Sequence, residues 1–539
     1  MRTPCDHVVM QSASAKAPCG PEARGWILAA TILGSSMAFI DGTVVNVALP
    51  AIQTNFQATV VGVQWVVESY GLFLGALILV GGSLGDLFGR RLMFIVGIAI
   101  FALASAACGA AATIDQLIIA RSVQGVGAAL LVPGSLAIIS TAFDEKSRGQ
   151  AIGTWSGFTA ITTAIGPVLG GWLVEYASWR WVFFINIPLA VVVVAISLWR
   201  IPESRSERAG RIDWAGAILA TLGLGGLVAG FMESVNVGWR NPLVVVGLVV
   251  GLSCLIAFAM VESRVASPML PLALFSSRSF SGANLLTLLL YAAVGIFFFL
   301  FPLNLIQVQN YSATAAGAAM LPFIVLMFLL SRWSGGLVAR YGPRLPLIAG
   351  PLIAVLGFGL FAVPSIAGSY WKTFFPAIII LGFGMAVTVA PLTTVVMNSV
   401  DRERVGAASG INNAAARVAA VLAIAILGIV MVMVFDSHLN RDLTHLALPS
   451  DVLQQIRTDG NKLAGLQTPA SVDLQTRAEI QESVKQAFVS GFRIVMLICA
   501  GLSLASALVA GVMIRQDVES TLPAQARALE SDGRDSRSE

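Results

Sequence analysis

Gly82-Ser83-Leu84-Gly85-Asp86-Leu87-Phe88-Gly89-Arg90-Arg91 is a short polar stretch punctuated by glycine. It separates two apolar runs, each close to the roughly 20 residues a helix needs to cross a bilayer. Much later in the chain, Gly335-Gly336-Leu337-Val338-Ala339-Arg340-Tyr341-Gly342-Pro343-Arg344 has the same spacing of glycines and basic residues, again between apolar runs. One element used twice at corresponding places points to a membrane bundle built from two related halves, with a cavity between them.

Composition agrees. Of 539 residues, 57% are hydrophobic and only 12% charged, with a mean hydropathy of +0.83, more apolar surface than a soluble core can bury. The apolar runs are far longer than the alternating strands of a β-barrel, so helices are the spanning element and the fold class is all-α. The net charge of +4 is spread along the chain without a basic block, which argues against a nucleic-acid partner. Cys5, Cys19, Cys108, Cys254 and Cys499 show no paired or metal-ligand spacing, and no metal site is expected.

Fourteen spans are expected, beginning near Trp26, Val61, Leu92, Leu117, Ala151, Trp181, Trp214, Pro242, Gly282, Ala315, Leu345, Phe374, Val405 and Gly491. Arg90, Arg91, Lys146, Arg148, Arg200, Arg211, Arg264, Arg278, Arg340, Arg344, Arg402 and Arg404 all fall on one side. The positive-inside rule makes that side the cytoplasm and puts both termini there. The organisation read from this is a cytoplasmic tail at 1–25, a six-helix bundle at 26–200, two inserted helices at 201–263, spans 9–13 at 264–435, an extracytoplasmic loop at 436–488, span 14 at 489–514, and a second cytoplasmic tail at 515–539. The expected location is the inner (plasma) membrane, with the lipid bilayer as solvent.

At this point the residues resemble the major facilitator superfamily, and within it the fourteen-span drug:proton antiporters of EmrB/QacA type. Gly82 to Arg91 is similar to the superfamily loop pattern G-x-x-x-D-x-x-G-R-R, with Leu87 where a basic residue is usual. Arg121-Ser122-Val123-Gln124-Gly125-Val126-Gly127 in span 4 resembles the motif of proton-coupled groups. Gly153, Gly166-Pro167 and Gly170-Gly171 in span 5 look like the antiporter motif, with Thr162 in place of a usual glycine. Asp41 to Pro50 in span 1 and Trp179 to Pro188 at the start of span 6 resemble fourteen-span patterns in particular. The resemblance implies a major facilitator fold of two six-helix bundles plus two inserted central helices. It also implies a conformational gate in which the Gly82, Asp86, Gly89, Arg90 and Arg91 loop acts as a latch and span 5 sets direction.

The residues can be read without that resemblance. Glycines let helices approach and reverse tightly, and Asp86 can cap a helix or pair with a guanidinium, although Arg90 and Arg91 also serve as topogenic charges. Gly-Pro within span 5 removes a backbone hydrogen bond and bends the helix, which suits gating or close packing. Ionisable groups inside a membrane cost roughly 2.5–3.5 kcal/mol each on insertion scales and so mark function or a structural pair. By residue counting Asp41 and Glu68 share a similar depth in the outer half, with Arg121 somewhat nearer the surface, an arrangement that could form a charge cluster. Burial and a neighbouring guanidinium act in opposite directions on a carboxyl's hold on its proton. Asp41 is therefore the expected proton carrier, Arg121 its fixed partner, and Glu68 a second acid that shares the proton, selects cationic substrates or snorkels to the interface. Arg417 falls near mid-membrane in span 13, where gating, substrate binding and helix–helix hydrogen bonding all remain open. Trp65, Tyr70, Trp155, Phe158 and Asn304, with Arg417, are the expected cavity wall for flat apolar solutes; Tyr291, Phe297, Phe298 and Met385 are further candidates.

No G-x-x-x-x-G-K-[ST] phosphate loop occurs, so no nucleotide or other cofactor is expected and the proton gradient is the expected drive. The expected activity is proton-coupled antiport of small hydrophobic or cationic molecules, with small-molecule substrate and protons as partners. Uptake or exchange of a specific solute is the alternative, because fold does not fix substrate. A non-transporting receptor is disfavoured by the cost of the buried charges. Enzymatic chemistry has no nucleophile–base constellation to rest on. Nothing in the sequence identifies a periplasmic adaptor.

Overall fold

A computed structural model describes residues 21–143, 145–205, 213–265, 268–366, 368–400, 405–444, 448–466 and 472–515. Most of both expected tails, and the basic residues Arg211, Arg402 and Arg404, lie outside the described residues. Among the described residues, fourteen helices are long and apolar enough to span a membrane. They are span 1 (Ala23–Phe56), span 2 (Val60–Phe88), span 3 (Arg90–Ala110), span 4 (Ile114–Ala142), span 5 (Gln150–Tyr176), span 6 (Trp181–Arg200) and span 7 (Trp214–Val237). Beyond these come span 8 (Pro242–Glu262), span 9 (Arg278–Val308), span 10 (Ala313–Ser331), span 11 (Arg344–Phe361), span 12 (Tyr370–Asn398), span 13 (Ala407–Leu443) and span 14 (Leu474–Met513).

Polar residues at the membrane faces start these helices. Thr59, Thr113, Asp213, Asn241, Ser277, Ser312 and Asp473 each accept a hydrogen bond from a backbone N–H of the first turn of spans 2, 4, 7, 8, 9, 10 and 14. Side chains such as Leu103, Ile119, Leu243, Leu329, Leu508 and Val512 point outward from the bundle, as a lipid-facing surface requires. Span 9 ends in a π-helical turn at Asn304–Val308, just after Pro302 has removed a donor from the helix.

Spans 1–6 pack together as one half and spans 9–14 as the other; span 7 packs against spans 2 and 13, and span 8 packs on span 7. The expected loop at 436–488 differs most from the structure. Span 13 continues to Leu443, a separate helix covers Ser450–Asp459, and span 14 starts at Leu474, well before the expected Gly491. The Asp473 cap and the helix-forming run behind it extend span 14 through residues too polar to register as a membrane segment.

The end carrying Arg90, Arg91, Arg200, Arg278, Arg340 and Arg344 is called the basic end below. At the opposite end the halves are joined. Gln53 donates to Lys462 O at 3.0 Å, Gln307 donates to Gln53 at 2.8 Å, and the Thr314 N–H donates to Glu175 at 3.1 Å. Gln64 donates to Ile424 O at 3.4 Å across spans 2 and 13.

Candidate functional site

Asp41 sits near the middle of span 1, deeper than residue counting suggested because that helix runs on to Phe56. Span 4 approaches closely enough to meet it because Gly125 and Gly127 face neighbouring helices with no room for a side chain. A Cβ on Gly125 would meet Tyr70 O of span 2 at 2.6 Å, and one on Gly127 would meet Phe101 N of span 3 at 2.6 Å. This packing brings Arg121 against Asp41, both essentially without solvent exposure.

The resulting network is closed on itself. Arg121 Nη1 donates to Asp41 Oδ2 at 2.5 Å and to Gln124 Oε1 at 2.8 Å, while Gln124 Nε2 donates to the other Asp41 oxygen at 2.9 Å. Arg121 Nε reaches Val66 O of span 2 at 3.0 Å. Tyr70 lays its ring 4.2 Å from the guanidinium carbon, and its hydroxyl lies 3.3 Å from Ala38 O. Each oxygen of Asp41 has a donor and the guanidinium is shared over three acceptors, the condition under which a buried ion pair is tolerated. Gln124 belongs to the span 4 motif, but its part in holding Asp41 was not apparent from sequence; only the three-residue spacing from Arg121, one helical face, hinted at it.

Glu68 is different. It is fully buried in span 2, and neither carboxyl oxygen has a hydrogen-bond partner.

The expected cavity wall divides. Tyr70 belongs to the charge network. Trp155 is buried and donates to Ser35 at 3.1 Å, which in turn donates to Ser135 at 2.7 Å, so it ties spans 1, 4 and 5 together. Trp65 donates to Glu233 at 3.2 Å, fastening the inserted span 7 to span 2. Phe158 is exposed on span 5. Asn304 is buried in the π-turn of span 9, 3.5 Å from the Gln309 amide. Arg417 lies on the span 13 face against span 2, where a Cβ on Gly75 would touch its own Cβ at 3.5 Å. Phe297 and Phe298 pack in an aromatic cluster of the second half, and Tyr291 and Met385 pack within the same core.

The expected gate residues also separate. Gly166 and Gly170 hold span 5 against span 1, since added Cβ atoms would meet Thr43 Oγ1 at 2.1 Å and Val44 Cγ2 at 2.4 Å. Gly171 faces the other half: its Cβ would meet Ala313 O at 2.3 Å, and a Cβ on Gly317 would meet Pro167 O at 2.0 Å. Span 5 is thus a wedge between halves at the end opposite the basic loops. Gly153 has nothing within 4 Å, and a Cβ on Gly82 would find only Pro133 at 3.8 Å, so neither is required by packing in this conformation.

At the basic end, Gly89 adopts φ +121°, and a Cβ there would strike the Glu203 carboxylate at 2.6 Å. Asp86 pairs with Arg90 at 2.8 Å. Glu203 accepts from the Arg91 and Leu92 backbone N–H groups at 3.0 and 3.1 Å, and Arg91 Nη1 donates to Ile201 O at 3.0 Å. Every one of these partners belongs to the first half. Glu203, which caps span 3 and organises the loop, carries no periodic signal and was missed from sequence.

An apolar cavity of about 470 Å³ lies under the inserted pair, between spans 2, 7, 8, 9 and 13 toward the basic end. Leu79, Leu224, Phe258, Leu288 and Val418 are among its lining residues.

Comparison with known proteins fits this architecture. Residues 31–424 match the family model of the Major Facilitator Superfamily. The chain is 35% identical to the multidrug resistance protein Stp of Mycobacterium tuberculosis over 80% of each chain. It is 30% identical to the tetracenomycin C resistance and export protein of Streptomyces glaucescens, covering 91% of this chain and 92% of that one. With the puromycin resistance protein pur8 of Streptomyces alboniger it shares 36% identity, over 76% and 82% of the two chains. Among solved structures, a bacterial homolog of the human lysosomal transporter Spinster, inward-facing and unoccupied, superposes with a TM-score of 0.62 at 18% identity, over 92% of this chain and 99% of that one. An auto-inhibited peptide transporter of the POT family superposes with a TM-score of 0.63 at 14% identity, over 94% and 99%; at such identities the likeness concerns the fold alone. With its two halves, its inserted pair and its glycine-built seams, this chain is a multi-pass membrane protein that belongs to the Major Facilitator Superfamily.

Proposed function

We propose that the chain exports small hydrophobic or cationic organic molecules across the plasma membrane in exchange for protons, by alternating access between its two halves. The observation that carries this reading is the sealed Asp41–Arg121–Gln124 network at mid-membrane. Such a network is costly to keep in lipid, and it earns a functional reading because intramembrane ionisable groups mark ion and substrate pathways. The relatives named for multidrug, tetracenomycin C and puromycin resistance support an exported organic substrate. The apolar cavity beside spans 7 and 8 suits a solute that dissolves in membranes.

In this reading the basic loops face the cytoplasm by the positive-inside rule. The joined end, where span 5 wedges against span 10, is then extracytoplasmic, and the conformation described is closed to the outside. Among the described residues the Asp86–Arg90 and Glu203 contacts stay within the first half, as a released latch to the second half requires. One positive charge moving inward through about 100 mV releases about 2.3 kcal/mol, enough with a pH difference to drive uphill export.

The test is efflux of a fluorescent cationic dye from energised cells expressing the chain, with and without an uncoupler, alongside Asp41→Asn. Export abolished by both treatments is expected. Export that survives the uncoupler contradicts proton antiport.

A further inference from the structure

Asp41 and Glu68 are both buried acids near the same level of the first half, yet their surroundings are opposite. Asp41 has a donor on each oxygen and a guanidinium in contact, so its charge is fully matched where it stands. Taking a proton there would break a complete network. Among the described residues Glu68 has no donor on either oxygen, and it has no solvent exposure. An ionised carboxylate in such a place would stand wholly uncompensated, a state that only a change in its surroundings relieves.

Its position on span 2 gives that state a consequence. Gln64, Gly71 and Gly75 define the face of span 2 that packs on span 13: Gln64 donates to Ile424 O, a Cβ on Gly71 would meet Val421 Cγ2 at 3.0 Å, and one on Gly75 would meet Arg417 Cβ at 3.5 Å. Glu68 is four residues after Gln64 and three before Gly71, hence on that same helical face. It therefore sits on the seam between the two halves, whereas the Asp41–Arg121 network is enclosed within one half. When the halves rock, the seam opens and the interior of one half does not.

Resting on the export reading above, we infer that Glu68 is the residue that carries the transported proton, with the Asp41–Arg121 pair as a fixed charge on the opposite side of span 2. The step is a simple proton transfer. Hydronium in the outer water gives its proton to the Glu68 carboxylate when the seam opens to the outside, leaving water, and the Glu68 O–H passes that proton to water, forming hydronium, when water reaches the seam from the basic end. The carboxylate left behind then offers a negative site to a cationic substrate or to Arg417. The charged and titratable groups that face span 2 are Asp41 and Arg121 on spans 1 and 4, beside Tyr70 on the side of the helix away from Glu68, Arg417 on span 13 opposite Gly75, and Glu233 on span 7, held by Trp65. Of these, Arg417 shares the seam, about two helical turns toward the basic end.

The experiment uses the full-length protein, purified and reconstituted in vesicles, with a fluorescent cationic dye as probe. Three quantities are read for the parent, Glu68→Gln and Glu68→Asp: proton release on dye binding in detergent, uphill dye transport driven by a pH gradient, and exchange of labelled for unlabelled dye without a gradient. The expected result is that Glu68→Gln loses proton release and uphill transport, by at least tenfold, while it still binds and exchanges dye. Glu68→Asp is expected to keep proton release, with a shifted pH profile. A Glu68→Gln protein that still releases protons and pumps uphill overturns the proposal, leaving export itself intact. Loss of exchange in both variants overturns it as well, because it assigns Glu68 a structural role. A parent that moves no dye overturns the export reading, and this proposal with it.

Discussion

The two halves of the bundle place different chemistry at corresponding depths. With the inserted pair set aside, span 9 takes the place of span 1 and span 12 that of span 4. Spans 1 and 4 meet through Asp41, Arg121 and Gln124. Spans 9, 11 and 12 meet through phenyl rings: Phe297 lies 5.0 Å from Phe301 and 4.7 Å from Phe361, and Phe301 lies 5.6 Å from Phe374, centroid to centroid. A charge network needs each partner at a fixed place, whereas a ring cluster needs volume and tolerates several ring angles. One architecture thus joins spans 1 and 4 through a charge network and spans 9, 11 and 12 through packed rings, with Arg417 of span 13 as a charge of the second half set on the seam.

The largest effect is expected where this contrast is sharpest. Arg121→Ala leaves Asp41 buried without its cation, a change that costs about 3–5 kcal/mol in a buried pair. Dye efflux should vanish and the melting temperature in detergent should fall; efflux at the parent's rate would mean that the network does not couple anything. Phe297→Ala in the second half should cost a similar amount, about 3–5 kcal/mol, through cavity formation. Its signature is different, because the surviving folded protein should keep the parent's pH profile of transport. A changed profile would blur the division between halves.

A smaller and directional effect is expected at the wedge. Gly317→Ala places a methyl against Pro167 O, where 2.0 Å is available, and overpacking of this kind costs about 1–3 kcal/mol. The joined end should therefore open more often, seen as longer spin-label distances between the outer ends of spans 5 and 10. Unchanged distances would show that span 5 merely touches span 10. The smallest effect belongs to Glu203→Gln, which removes a negative charge from the start of span 3 and should cost about 0.3–1 kcal/mol, read as a slight fall in melting temperature.

Much of this was legible in the sequence. Span starts follow from hydropathy and face-capping residues, and the Asp41–Arg121 meeting follows from two intramembrane charges of opposite sign that lipid forces to find each other. The repeated glycine–arginine loop pointed to two related halves, and the helices pack as spans 1–6 and spans 9–14. What stayed hidden depends on contacts between distant segments. Glu203 lies in a short polar loop whose partner is the start of span 3, and Gln53 and Gln307 look like ordinary helix-end residues until the halves are brought together. The aromatic positions Trp65 and Trp155 were expected in the cavity because ring chemistry is all the sequence shows. Their indole N–H groups instead bind Glu233 and Ser35 inside helix seams. The start of span 14 was placed too late because its first turns are polar, so their helical character rests on the Asp473 cap.

The most direct test of the account is dye movement in vesicles containing only the purified protein, with an acid-side pH gradient imposed and then collapsed. Uphill dye movement against the proton flow, lost on collapse and absent in Asp41→Asn, is the predicted result. Dye accumulation that is indifferent to the gradient, or that persists in Asp41→Asn, would contradict the claim that the buried charges of the first half couple protons to export.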